Sequence, residues 1–201
     1  MPSTQTPLAV RSGPSITGVI LAGGLGTRMG GVDKGLQLFN EQALVLHVAN
    51  RLAPQVAHLL INANRNAAEY AAFGYPLIAD RIAGFAGPLA GLHAALGAAN
   101  TPLVVTAPCD SPKLPLDLVA RLHRALDAAP ANLAIATAGG RLHPVFCLCR
   151  TSLLASLEAY LHDGGRKVAH WCAAMGAVEV DFSDQLEAFG NFNTREDLAG
   201  N

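Results

Sequence analysis

The sequence predicts an α/β fold in three layers, a mostly parallel sheet with helices on both faces. Three observations point to it. Short apolar runs rich in Val, Ile and Leu alternate along the chain with Leu and Val stripes at helical spacing, the rhythm of repeated βαβ units. The first of these runs stops abruptly at a glycine-rich stretch, as a buried strand entering a ligand-binding turn does. Of 201 residues, 51% are hydrophobic and only 14% charged, enough apolar material for one well-buried core.

The elements follow in order. Ile16–Leu21, reading ITGVIL, predicts the first strand, and AGGLGTRMGG follows it directly. Leu44, Val48 and Leu52 stripe a helix that Pro54 ends, and residues 56–61 predict the second strand. A short strand is expected at 76–79, a helix opened by Gly87 and Pro88 at 89–99, and an apolar strand at 103–107. Leu118, Leu122 and Leu126 stripe another helix. Beyond Pro130 come strand-like runs at 133–137 and 145–148, helix-like runs at 153–161 and 168–175, and a last strand at 178–182. Right-handed crossovers then put helices on both faces of the sheet. No linker or internal repeat divides the chain, so residues 16–201 are expected to form a single domain. Residues 1–15, rich in Pro, Ser and Thr, are expected to be a disordered lead-in.

Charge and hydropathy remove several function classes. The 14 Lys and Arg nearly cancel the 15 Asp and Glu, leaving a net charge of −1 and no basic field for nucleic acid. Every hydrophobic stretch is interrupted well short of the roughly 18 residues that a membrane helix needs. With no basic start and apolar core of a secretory signal, a cytoplasmic protein is expected. Cys109, Cys147, Cys149 and Cys172 form no CxxC pair and lie at no zinc-finger spacing, and read as reduced core thiols; the Cys147-x-Cys149 pair, with both sulfurs on one face of a strand, leaves metal binding as the alternative.

Ligands of parallel sheets collect at the carboxyl ends of the strands, and three such ends carry polar chemistry. The first, LAGGLGTRMGGVDK, joins Gly23, Gly24, Gly26, Gly30 and Gly31 to the cations Arg28 and Lys34. Glycines let backbone N–H groups approach phosphate oxygens while the cations neutralise charge. The stretch is neither a Walker A motif nor a dinucleotide fingerprint, because no Gly-Lys-Ser/Thr follows and Met29 stands where the third glycine belongs. At the second end, APCDSP, Asp110 is the first charge after an apolar run and suits Mg²⁺ held against a triphosphate; a turn-forming Asp is the alternative. At the third, Asp80 precedes the flexible opening of a helix and suits base, ribose or a metal-bound water, or serves only its turn. Asn62 and Asn64 in INANR offer amides to a base edge. His143 in RLHPVF, and Asn191 and Asn193 in GNFNT, complete the candidates, with a helix N-cap at Asn193 or Thr194 as the alternative for the last.

Together these motifs resemble the molybdenum cofactor guanylyltransferases, nucleotidyltransferases of Rossmann-like, glycosyltransferase-A type fold, over residues 16–198. The resemblance rests on LAGGLGTRMGGVDKG, INANR, the pairing of Asp80 with GPLAGL, APCD, HPVF, VDFSD and NFNTREDL. It implies transfer of GMP from GTP to Mo-molybdopterin, with release of pyrophosphate and Mg²⁺ as cofactor. Leu21, Ala22, Gly23 and Gly24 then correspond to nucleotide-contacting backbone, Lys34 to the phosphate-binding lysine, Asn62 and Asp80 to nucleotide-binding positions, and Asp110 to the Mg²⁺ ligand. Arg28, Lys34 and Asp110 form the expected catalytic set. The nucleotide half is expected at 16–110 and the molybdopterin half at 111–201, with His143, Arg166, Lys167, Asn191 and Asn193 as molybdopterin candidates. The resemblance also implies contact with the molybdenum-inserting enzyme and with acceptor molybdoenzymes or their chaperones; a monomer is expected.

Three rivals share some of these residues. A cytidylyltransferase acting on the same pterin or on a sugar or alditol phosphate would use the same loop and metal, but in the resembled families LAGG accompanies guanine. A regulator or cofactor chaperone that binds without turnover would need no Arg28, Lys34 and Asp110 poised for a leaving pyrophosphate. A dehydrogenase is disfavoured by Met29 and by Asn62 in place of an acid.

Overall fold

The computed structural model describes residues 15–23, 33–82 and 87–192, so all of the 1–15 lead-in but Ser15, and the candidates Gly24, Arg28 and Asn193, lie outside the described residues. One seven-stranded sheet organises them, built from β1 (Ile16–Leu21), β4 (His58–Asn62), β5 (Leu77–Ile78), β6 (Leu103–Pro108), β7 (Leu133–Ala138), β8 (Arg141–Arg150) and β9 (Val178–Asp181). Their order is β5-β4-β1-β6-β8-β7-β9. β1 pairs in parallel with β4 and β6, β4 with β5, and β7 with β9, as the alternating pattern predicts.

β8 alone in this sheet runs the other way, antiparallel to both β6 and β7. Its reversal has a local cause. Ala138 faces Arg141 across the two-residue connection Gly139-Gly140, whose φ values of 55° and 70° are those of a type I′ turn, the hairpin turn that matches strand twist. A smaller hairpin of β2 (Leu38–Phe39) and β3 (Gln42–Ala43) turns at Asn40 and Glu41, again with positive φ at both.

Side chains alternate across the strands and feed two cores. On one face, Ile16 and Ile20 of β1 pack with Val45, Val48 and Leu52 of α1 (Leu44–Leu52), Tyr70 of α2 (Ala67–Ala71) and Leu118 and Leu122 of α4 (Leu118–Ala128). On the other, Val19 and Val104 pack with Leu89 and Leu92 of α3 (Pro88–Ala98), Leu157 of α5 (Leu154–His162) and Trp171 of α6 (Val168–Ala174). Helices on both faces are therefore observed. The second strand starts two residues later than its apolar run and takes in Asn62, while the third is cut to two residues. The four cysteines are buried free thiols, and among the described residues no helix is long and apolar enough to cross a membrane.

Candidate active site

The carboxyl ends of β1, β4 and β6 meet at one place. Leu21 stands in register with Asn62 and with Pro108, so the residues that follow each strand emerge side by side. Main-chain bonds carry the alignment past the strands: Ala22 N donates to the Asn62 carbonyl at 2.8 Å, and Cys109 N to that of Leu21 at 3.2 Å. Ala22 and Gly23 thus lie between the turns carrying Asn62 and Asp110.

Asp110 and Lys34 form the charged centre. Lys34 opens a short 3₁₀ turn, Lys34–Leu36, and its Nζ lies 3.3 Å from Asp110 Oδ2, with the side chains 27% and 13% exposed. The C-terminal segment closes over this turn. Phe192 N donates to the Asp110 carbonyl at 2.8 Å, Ser111 Oγ donates to Asn191 Oδ1 at 3.0 Å, and the Phe192 ring meets Phe39 of β2 edge-on at 4.8 Å. Asn191, a candidate for the second half, therefore sits against the turn that carries Asp110.

A second polar cluster lies on the β4 side. Asn62, only 2% exposed, donates through Nδ2 to Asp80 Oδ1 at 3.0 Å and to the Ile78 carbonyl at 3.3 Å. Asn64 Nδ2 donates to Asp80 Oδ2 at 2.8 Å and to the Gly23 carbonyl at 3.4 Å, and its Oδ1 accepts from Asp80 N at 2.9 Å. Asn62 and Asn64 so hold the Asp80 carboxylate from both oxygens beside the Gly23 turn. The partner role of Asn64 had only the composition of INANR to signal it.

The cluster leaves no room for side chains around it. A Cβ on Gly23 would stand 2.7 Å from Asn64 Nδ2, and one on Gly91 of α3 would collide with Asn62 Oδ1 and lie 2.8 Å from Leu21 Cδ2. Gly91→Ala therefore sets a helix-propensity gain of about 1 kcal/mol against an overpacking cost of about 1–3 kcal/mol. Asn62 is buried and bonded, so overpacking is expected to win. Chemical denaturation should show Gly91→Ala less stable than the parent, and a more stable variant would overturn this account.

The remaining candidates lie apart from that cluster. His143 of β8 packs its ring against Phe189 at 4.9 Å and Phe146 at 6.3 Å, and Phe189 precedes Asn191 by two residues. Burial, and then the charge of Arg141, hold the His143 imidazole below its ordinary pKa of 6.5 and keep it neutral at pH 7. Arg166 and Lys167 occupy the loop between α5 and α6, where Arg166 Nη1 donates to the carbonyls of Leu161 at 3.1 Å and Gly165 at 2.7 Å. Asp33 and Tyr70, absent from the sequence candidates, lie beside Lys34.

Comparison with known proteins gives this geometry a family. Residues 18–177 match the family model described as MobA-like NTP transferase domain. The chain belongs to the MobA-like NTP transferases. A molybdenum cofactor guanylyltransferase of Ralstonia nicotianae is 51% identical over 192 residues, 91% of this chain and 94% of the relative. One of Burkholderia ambifaria is 53% identical over 195 residues, 92% and 95% of the two chains. Among solved structures, the molybdopterin-guanine dinucleotide biosynthesis protein A of Archaeoglobus fulgidus superposes with a TM-score of 0.75 at 23% identity, covering 91% and 95% of the two chains. This member of the MobA-like NTP transferases is a nucleotidyltransferase of the molybdenum cofactor guanylyltransferase type.

Proposed function

We propose that the protein transfers GMP from GTP to Mo-molybdopterin, forming the guanine dinucleotide cofactor and releasing pyrophosphate. The observation that carries this reading is the Lys34–Asp110 pair at 3.3 Å, set where β1 and β6 end beside the Gly23 turn. A cation and a carboxylate in contact at the carboxyl ends of the strands suit a reaction that depends on alignment and charge neutralisation. The names of the relatives support the substrates.

Asp110 fits a Mg²⁺ ligand. It is one hard, largely sheltered carboxylate, and among the described residues no group of three or more His, Cys, Asp or Glu could hold a metal. A nucleotide-borne Mg²⁺ is ordinarily held by one or two carboxylates, with phosphate and water oxygens completing the shell. Bound there, it would supply charge neutralisation at the triphosphate. In this reading Lys34 leaves Asp110 to bind phosphate, the Ala22 and Gly23 backbone lines the nucleotide, and Arg28 adds positive charge from the glycine-rich stretch. Gly24 belongs to the same proposed set of nucleotide contacts. The Asp80 carboxylate, oriented by Asn62 and Asn64, accepts from the N–H edge of guanine; the acceptors of cytosine suit it less.

On the pterin side, Asn191 stands against the Asp110 turn, and the neutral His143 ring lies behind it across Phe189. Arg166, Lys167 and Asn193 complete the set proposed to hold molybdopterin. Handover to molybdoenzymes or their chaperones, supply by the molybdenum-inserting enzyme, a cytoplasmic location and a monomeric state belong to the same proposal.

The test is pyrophosphate release with Mg²⁺ and Mo-molybdopterin, comparing GTP with CTP and ATP against a control lacking the pterin. Release is expected with GTP and only with the pterin present. Preference for CTP would overturn the base assignment, and GTP binding without release would favour a carrier.

A further inference from the structure

The residue before Lys34 is held more tightly than a loop acid needs to be. Asp33 Oδ1 accepts from the Tyr70 hydroxyl at 2.6 Å and from Gly35 N at 3.2 Å, while Oδ2 accepts from Asn66 Nδ2 at 2.9 Å. Three donors from two segments of the chain therefore converge on one carboxylate. Asn66, the residue before α2, and Tyr70 within it are four residues apart, so both face the same way, and Tyr70 N bonds back to the Asn66 carbonyl at 3.1 Å. Asn66 takes left-handed φ and ψ of 52° and 38°, a conformation that Asn tolerates better than most residues.

The Tyr70 ring is fully buried, and burial with the Asp33 bond pushes its phenol well above the usual range. Tyr70 is thus a permanent donor. Gly35 lies so close beneath the Tyr70 hydroxyl that an added Cβ would collide with it. The stretch 33–35 is pinned from both sides, and its middle residue is Lys34.

We propose that Asp33, Asn66 and Tyr70 are positioning residues that set the place of the Lys34 ammonium over Asp110. The inference rests on the proposed role of Lys34 in phosphate binding. Asp33 is an acid near Asp110 that could be taken for a second metal ligand, yet its oxygens are committed to O–H and N–H donors. The three side chains act through Lys34.

The chain has three lysines, Lys34, Lys113 and Lys167, so ¹³C-dimethyl labelling of the full-length protein gives three lysine NMR signals, assigned by single Lys→Arg variants, besides that of the N-terminal amine. Tyr70→Phe removes the donor with little change of shape, and Asn66→Gly removes the other while keeping the left-handed backbone. Both are expected to move the Lys34 signal and leave those of Lys113 and Lys167 in place, without nucleotide. In turnover, each variant is expected to lose about tenfold in kcat/KM for GTP, and neither to lose anything further in a Lys34→Ala background. A lowered Tm with an unmoved Lys34 signal, or an undiminished loss in the Lys34→Ala background, would overturn the proposal. Should the parent show no turnover with GTP and Mo-molybdopterin, the transfer reading fails while the NMR comparison still decides the positioning.

Discussion

Asp110→Asn is expected to lower kcat for pyrophosphate release by about 10²–10³-fold, because a carboxylate that anchors charge at a phosphoryl-type transfer is worth several kcal/mol and each 1.4 kcal/mol is about tenfold. The fold is expected to survive. Asn keeps the shape of Asp, and the Phe192 N bond goes to the Asp110 main chain, which the substitution leaves alone. What is lost is a Lys34 ion pair partly open to water, whose contribution is expected to be about 1 kcal/mol or less. Steady-state pyrophosphate release and a circular dichroism melt on the same preparation separate the two effects. Turnover within about tenfold of the parent, still dependent on Mg²⁺, would remove Asp110 from the reaction.

Trp171→Ala is expected to have the opposite profile. The only tryptophan of the chain is fully buried among α3, α5 and α6, on the sheet face away from Tyr70 and α1. Truncating such a side chain costs about 3–5 kcal/mol in transfer and cavity terms. At about 2–4 °C per kcal/mol for a domain of this size, Tm falls by roughly 6–20 °C. Activity per folded molecule is expected to change less than about twofold at low temperature, since Trp171 lies in the core beneath α6. Urea unfolding followed by circular dichroism checks the size, and a loss below about 1 kcal/mol would show that the second core tolerates a large void.

The contrast between these substitutions reflects what a sequence displays. Apolar runs and stripes reveal burial, so the main strands and the helices striped by Leu44 and Leu118 are legible from periodicity. Direction is less visible. The reversal of β8 depends on Gly139-Gly140, a hairpin signal that the apolar runs on either side obscured. The turn at Asn40-Glu41 had weaker chemistry to announce it, and α2, five residues long, is too short for a helical stripe. At the site, the Asn62–Asp80 bond joins residues 18 apart and the Lys34–Asp110 contact residues 76 apart. Each had a strand-end position to mark it singly, whereas their contacts appear only once β1, β4 and β6 align. Tyr70 carried no such mark, because a tyrosine in an alanine-rich stretch reads as packing until its hydroxyl is seen on Asp33.

The margins of the sheet bear on how the protein meets copies of itself. Among the described residues it ends on one side in β5, two residues long, and on the other in β9, where Glu179 and Asp181 are exposed between half-buried valines. A strand arriving from another molecule would gain very few main-chain bonds at the first margin. At the second, an identical strand would bring carboxylates against carboxylates. Growth by strand addition, the common route from an open sheet to aggregates, is thus blunted on both flanks.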